Sequence, residues 1–285
     1  MADAPDPESP TPSYVPLHRK NEHWGDPCEP ITACVGPDFI RIYGINCNGI
    51  SDSTGLKYDK AFEIAKETEA SIFAFNKTHA DDMNVLDINA LKKSRLRMFN
   101  PKEKEHVRLV SSSSKAAGRI HTKAGGNMMG LTGPLTGRYK REITDKYGRW
   151  CGFVLLGKDN RELLVLTAYN VPQITPAGND TLYAQQMALY LIDGEVDPKP
   201  RKLFIRDLLK LIETVKADNK DIILMGDFNE AIGEDPKMLA KIIAAGNLTD
   251  VHAHKHGYNK KIATYICGTH RVDYCFISPR IIGHV

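Results

Sequence analysis

The chain has 285 residues, 42% of them hydrophobic and 26% charged, with a formal net charge of +3. That length suits one large domain with a sizeable core, or two small ones, and the composition is that of an ordinary soluble globule. So small a net charge does not by itself mark a nucleic-acid binder, no apolar run approaches the length of a membrane span, and the six cysteines have neither zinc spacing nor a dense disulfide framework.

Residues 1–37 are rich in Pro, Asp, Glu and Ser and lack apolar periodicity, so a flexible leader is expected there. The start, Met1-Ala2-Asp3-Ala4-Pro5-Asp6, has none of the basic and apolar regions of a signal peptide. Cys47, Cys151 and Cys275 lie in apolar strand-like runs, where a thiol behaves as a small hydrophobe. A reducing, intracellular location, cytoplasmic or nuclear rather than secreted, is the simplest expectation.

The domain proper is expected over residues 38–285. It opens with a strand at Asp38 to Ile45, then a helix from Lys57 to Glu69 with Tyr58, Phe62 and Ala65 on one face. Ser71 to Phe75 is the next strand, and a helix covers Asn84 to Leu96. Val107 to Tyr139, rich in glycine and serine, reads as short strands and loops. Cys151 to Leu156 and Glu162 to Tyr169 make a hairpin around Gly157-Lys158-Asp159-Asn160. Helices follow at Asp180 to Ile192 and Arg201 to Val215, where Phe204, Leu208, Leu211, Ile212 and Val215 recur at helical spacing. A strand at Ile222 to Met225, a helix at Pro236 to Ala245 and strands at Ile262 to Ile266 and Val272 to Ile277 finish the chain. Paired strands mixed with β-α-β order predict an α/β (α+β) fold: a four-layer sandwich of two packed mixed β-sheets flanked by helices. A single doubly wound sheet is the competing architecture, and the hairpin in the middle argues against it. Two basic groups, Lys92-Lys93-Arg95-Arg97 and Arg138-Lys140-Arg141, read as solvated faces.

The chemistry concentrates at strand ends. Ile222 to Met225 is an apolar run that stops at Gly226, followed by Asp227 and Asn229 two residues apart. At period two these oxygens can point to one side, although Gly, Asp and Asn also populate ordinary turns. The first strand ends Asn46-Cys47-Asn48-Gly49 in the same manner, and the second ends Asn76-Lys77-Thr78-His79. Asp273 sits inside an apolar strand. Burying it costs several kcal/mol unless it is paired, with Arg271 on the same strand face as the structural alternative, or holds a metal. Oxygens converging on one rim suit a hard cation such as Mg2+ (or Mn2+), and with it hydrolysis of a phosphate ester.

The segments Ile45-Asn46-Cys47-Asn48-Gly49-Ile50, Phe75-Asn76-Lys77-Thr78-His79, Thr167-Ala168-Tyr169, Met225-Gly226-Asp227-Phe228-Asn229 and Arg271-Val272-Asp273-Tyr274-Cys275-Phe276-Ile277-Ser278 together resemble the endonuclease/exonuclease/phosphatase (deoxyribonuclease-like) superfamily. The flow from Leu166 to Gln173 and the helix with Gln185-Gln186 is similar to the endonuclease domains of mobile genetic elements. The resemblance implies Mg2+-dependent hydrolysis of phosphodiester bonds of DNA, of endonuclease type. It also implies roles: Asn46 in the phosphate site, with Arg271 also placed to bind substrate, Asn48 near the metal, Tyr169 on the phosphate, Asp227 orienting or deprotonating the attacking water, Asn229 binding phosphate beside it, and Asp273 holding a catalytic histidine or a second ion.

Two departures qualify this. Where the family carries a glutamate as principal metal ligand, this chain has Lys77, whose ammonium has three donors and no acceptor. At ~4 Å from a divalent ion it would be repelled by ~8 kcal/mol at an effective dielectric of about 20. It could instead reach into the vacated position and bind phosphate as a point charge; snorkelling to solvent, with Asp81 or Asp82 serving as ligand, is the alternative. The family also closes with a Ser-Asp-His strand, whereas the sequence stops at Gly283-His284-Val285, so truncation before the last strand is expected, with His284 and His270 as weak substitutes. The run His252-Ala253-His254-Lys255-His256 reads as an exposed loop rather than a metal site. Impaired hydrolysis is therefore expected. The alternatives are a catalytically dead module that docks on nucleic acid, and a phosphatase of lipid or small-molecule phosphates, for which no apolar membrane-facing patch speaks.

Overall fold

The computed structural model describes residues 39–99, 106–116, 123–172, 175, 178, 180–233, 238–257, 262–264 and 269–284. The leader expected at 1–37 lies outside them. In chain order the elements are β1 (Ile42–Asn46), α1 (Leu56–Glu67), β2 (Ile72–Asn76), α2 (Val85–Met98), β3 (Val107–Ser112), β4 (Asn127–Thr132), β5 (Tyr139–Thr144), β6 (Trp150–Leu156), β7 (Glu162–Tyr169), α3 (Leu182–Ile192), α4 (Pro200–Ala217), β8 (Asp221–Asp227), α5 (Met238–Gly246), β9 (Thr249–Asp250), α6 (Val251–His256) and β10 (Asp273–Ile277). One sheet has the order β1-β2-β4-β3 and the other β5-β6-β7-β8-β10-β9. β1 and β2 run parallel through α1, and β7 and β8 run parallel through α3 and α4; the remaining pairs are antiparallel.

Side-chain alternation divides the core into three strata. Phe73 and Phe75 of β2 face outward, beneath Tyr58, Phe62 and Ala65 of α1, while Ile72 and Ala74 face the second sheet. Between the sheets lie Val110, Met129, Leu131, Cys151, Phe153, Val165, Ile223 and Met225. The far side of the second sheet packs Leu164, Leu166 and Leu224 under Phe204, Leu208, Ile212 and Val215 of α4 and Leu239 and Ile242 of α5. Each such buried side chain contributes about 1.5–3 kcal/mol, so an amphipathic helix has one stable way to lie on its sheet. The result is the expected four-layer α/β sandwich. Within this core burial pushes the Cys47 and Cys275 thiols up to about 12.

Local signals set the helix starts. The Asn84 side chain accepts from the Leu86 amide at the head of α2, Thr181 accepts from Ala184 in α3, and Pro200 occupies the first turn of α4.

Three expectations are corrected. β5 escapes the alternation rule because a bulge between Tyr139 and Arg141 shifts the register. Tyr139 then packs between the sheets while Ile143 packs on the opposite face, so the sequence, read only as a solvated basic face at Arg138, Lys140 and Arg141, did not reveal the strand. The histidine run is not a loop but α6, whose start is capped by the Asp250 carboxylate on the His252 and Ala253 amides. Finally, Ile262 to Thr264 lies outside any strand, and residues 265–268 are outside the described set.

Two glycines give the fold a direct test. Gly226, at φ +136°, lies so close to β7 that an added Cβ would sit 1.9 Å from the Ala168 carbonyl oxygen. Gly233 also has positive φ, +95°, but among the described residues nothing lies within 4 Å of such an atom. In urea denaturation Gly233→Ala should cost about 1–2 kcal/mol, and Gly226→Ala about 3 kcal/mol or more, since strain and steric overlap add. Equal losses would contradict the close approach of β7 and β8.

Candidate active site

The ends of β1, β2, β7 and β8 and the start of β10 meet at one rim of the sandwich. Asp227, the last residue of β8, is 4% exposed and stands directly opposite Asp273, the first residue of β10. Asn46, at the end of β1 in the other sheet, donates from Nδ2 to Asp227 Oδ2 at 2.8 Å. The Asn229 amide donates to Asp227 Oδ1 at 3.0 Å, and Asn229 Nδ2 donates to the Asn170 carbonyl at 2.7 Å and engages the Tyr169 hydroxyl. Asn48 is exposed on the adjoining turn, with its amide donating to Asn46 Oδ1 at 3.3 Å.

Asp227 and Asn229 do not come together through strand pleat. β8 ends at Asp227, and Asn229 adopts φ +50° so that the carboxylate can cap its amide; Asn48, at φ 49°, repeats the device on Asn46. Lys77 (φ 53°) and His79 (φ 56°) occupy the same left-handed region on the neighbouring turn. That turn is zipped to the first by Gly49 N–H to the Lys77 carbonyl at 2.8 Å and Ile50 N–H to the Thr78 carbonyl at 2.8 Å. Asn76 turns inward instead. Its Nδ2 donates to Asn127 Oδ1 at 2.6 Å, Thr167 Oγ1 at 2.9 Å and the Ala168 carbonyl at 3.2 Å, tying the two sheets together.

The electrostatics follow from this packing. Burial, then the facing Asp273 carboxylate, raises the Asp227 pKa to about 7; the Asn229 amide, the Asn46 side chain and the Lys77 charge oppose the rise. Burial likewise raises Asp273, against a hydrogen bond with Thr264. His79 is held below its ordinary value by burial, Lys77 and Lys57. Tyr169 is raised by burial and then by the Asp227 charge, so it is a neutral O–H donor.

Arg271 is turned away from this rim. Its guanidinium is paired with the Asp250 carboxylate and lies 4.3 Å over the Tyr274 ring. Asp273 therefore makes its partner in Thr264 rather than in Arg271. Asp82 and Asp81 serve other ends: Asp82 pairs with Lys115 at 3.0 Å, and Asp81 accepts from the Met83 amide. His270 bonds the Thr269 hydroxyl and His284 is exposed. Sequence reasoning missed Asn170 and Thr264, polar residues between apolar neighbours whose importance lies in partners far along the chain.

Among the described residues no group of three or more His, Cys, Asp or Glu is placed to hold a metal ion. At the rim, amides and one ammonium surround two carboxylates, of which Asp227 is already committed to Asn46 and Asn229. Among the described residues no helix is long and apolar enough to cross a membrane.

No family model and no curated protein matches the sequence. Solved structures do. The chain is similar to an AP endonuclease from Leishmania major at 12% identity and a TM-score of 0.55, over 94% of this chain and 85% of that one. It is similar to a 3′ phosphatase, NExo, from Neisseria bound to a product DNA hairpin, at 13% identity and a TM-score of 0.54, over 86% and 89%. An AP endonuclease from Archaeoglobus fulgidus gives 13% identity and a TM-score of 0.50, over 86% and 89%. The chain shares the fold of these three structures.

The carboxylate pair has a measurable consequence. Because the folded pKa of Asp227 lies above 3.8, its contribution to stability is full below 3.8 and is lost as pH rises through about 7. A carboxyl-carbon NMR titration should give Asp227 a midpoint at about 7, and Asp273→Asn should lower it by removing a like charge. A midpoint near 3.8, or no response to Asp273→Asn, would contradict the geometry.

Proposed function

We propose that this chain, on an endonuclease/exonuclease/phosphatase fold, binds a phosphate of DNA at the rim around Asp227, and that phosphodiester hydrolysis is strongly reduced in it. The observation that carries this reading is the charge of Lys77 acting on Asp227, at the position where the resemblance calls for a glutamate ligand. A lysine charge that reaches the carboxylate favours a phosphate at this site and opposes a divalent cation. Around it stand the Tyr169 hydroxyl, whose oxygen is engaged by the Asn229 amide so that its proton is free to donate, and the exposed residue Asn48. Asn46 and Asn229 hold the Asp227 carboxyl, the group best placed to take a proton from an attacking water.

DNA as the polymer is supported by similarity to a phosphatase bound to a DNA hairpin and to two AP endonucleases. Phosphate contacts of this kind are screened by salt, so binding should fall steeply with ionic strength. A phosphatase of small phosphates would need no backbone contacts and should lack that dependence.

The test is plasmid nicking in Mg2+ by the wild-type chain and by Lys77→Glu. A metal supplies several kcal/mol of transition-state stabilisation, and each 1.36 kcal/mol is tenfold in rate. The variant should therefore nick about a hundredfold faster or more, and Mg2+ should raise its Tm but not that of the wild type. Equal, robust rates in both would overturn the reading.

A further inference from the structure

Arg201, the second residue of α4, lies outside the rim but reaches two of the loops that form it. Its Nη1 donates to the Val171 carbonyl at 2.7 Å, just past the end of β7, and its Nη2 donates to the Asn229 carbonyl at 2.9 Å, just past the end of β8. Glu230 lies below, its side chain 4% exposed and one oxygen 3.9 Å from Arg201 Nη2, while the other accepts from the Leu239 amide at 2.8 Å. That first oxygen, Oε2, is buried and has no hydrogen-bond partner among the described residues. The guanidinium, itself only 12% exposed, therefore spends its hydrogen bonds on backbone carbonyls rather than on the carboxylate beside it.

We propose that Arg201 is a positioning residue that sets the spacing of the β7 and β8 exits, and through them the aim of the Tyr169 hydroxyl and the Asn229 amide. The two exits already touch, Asn170 N–H to the Asp227 carbonyl at 2.9 Å and Asn229 Nδ2 to the Asn170 carbonyl at 2.7 Å. The second contact depends on Asn229 keeping its left-handed backbone, φ +50°, which no regular structure enforces. A planar guanidinium is the side chain suited to hold two carbonyls at a fixed separation; an ammonium on a flexible stem is not. The uncompensated share of Glu230 keeps the guanidinium charged and seated while leaving its forks to the loops. Burial lowers the Arg201 pKa, and Glu230 is the larger of the two charges that oppose this.

The inference rests on the phosphate-binding reading, and its test separates the two. The competing role is that Arg201 merely neutralises Glu230. Three proteins, R201Q, R201Q/E230Q and R201K, are compared with wild type by Tm, by the Asn229 side-chain amide resonance in proton–nitrogen NMR, and by affinity for a short labelled DNA duplex in EDTA. R201Q should lower Tm, because a buried carboxylate has lost its counter-charge, and E230Q in that background should restore it. The Asn229 resonance should nevertheless stay displaced in the double variant, and DNA affinity should stay about tenfold weaker, the effect of one lost charge-assisted hydrogen bond. R201K should recover the affinity only in part. Return of both the resonance and the affinity in R201Q/E230Q would overturn the proposal, as would an Asn229 resonance unmoved in R201Q. If wild type fails to bind DNA, the functional reading falls, and the Asn229 resonance alone then decides the role of Arg201.

Discussion

The hydrogen bond from Asn46 to Asp227 joins the two sheets where their strands end. Everything at the rim depends on it. A carboxyl only 4% exposed is stable there because one oxygen receives an amide from the first sheet and the other the backbone of its own turn. Deeper in, Asn76 repeats the arrangement between β2 and β7, spending its amide on Asn127, Thr167 and the Ala168 carbonyl. The apolar layer between the sheets brings the strand ends together, and these amides fix how they meet. Burial and the facing Asp273 then raise Asp227 to about 7, so its carboxyl gains and loses a proton close to neutral pH.

Lys77 changes what such a rim can do. Where the resemblance calls for a glutamate ligand, a left-handed turn carries Lys77, whose charge reaches Asp227. The lysine substitutes a fixed charge for a bound one. On the reading proposed above, that charge suits recognition of an anion and works against assembly of a metal centre. Arg201 belongs to the same economy of charge, since a buried guanidinium orders two loops instead of meeting the substrate.

Much of this was legible in the sequence because the signals are local. Apolar spacing of Phe204, Leu208, Ile212 and Val215 located α4 and its buried face, and the Gly226-Asp227 break located the end of β8. What escaped was non-local or disguised. The bulge in β5 hides its alternation, and α6 follows from a cap by Asp250 that also binds Arg271. Arg271 itself, expected at the substrate, is drawn to Asp250 by an interaction 21 residues away that no strand pattern reveals. Asn170 and Arg201 act through carbonyl oxygens, which the sequence does not distinguish from any others. Asp227 and Asn229 were paired correctly but for a different reason, a capped turn rather than the two-residue pleat of a strand.

In the proposed function an ammonium, in place of a metal ion, completes the site. Its most direct test is fluorescence anisotropy of a labelled DNA duplex in EDTA, with wild type and Lys77→Met. Wild type should bind without any divalent ion, and the variant should lose about tenfold in affinity and reduce the salt slope by about one phosphate contact. Binding that requires Mg2+, or a Lys77→Met protein that binds as tightly as wild type with the same slope, would contradict it.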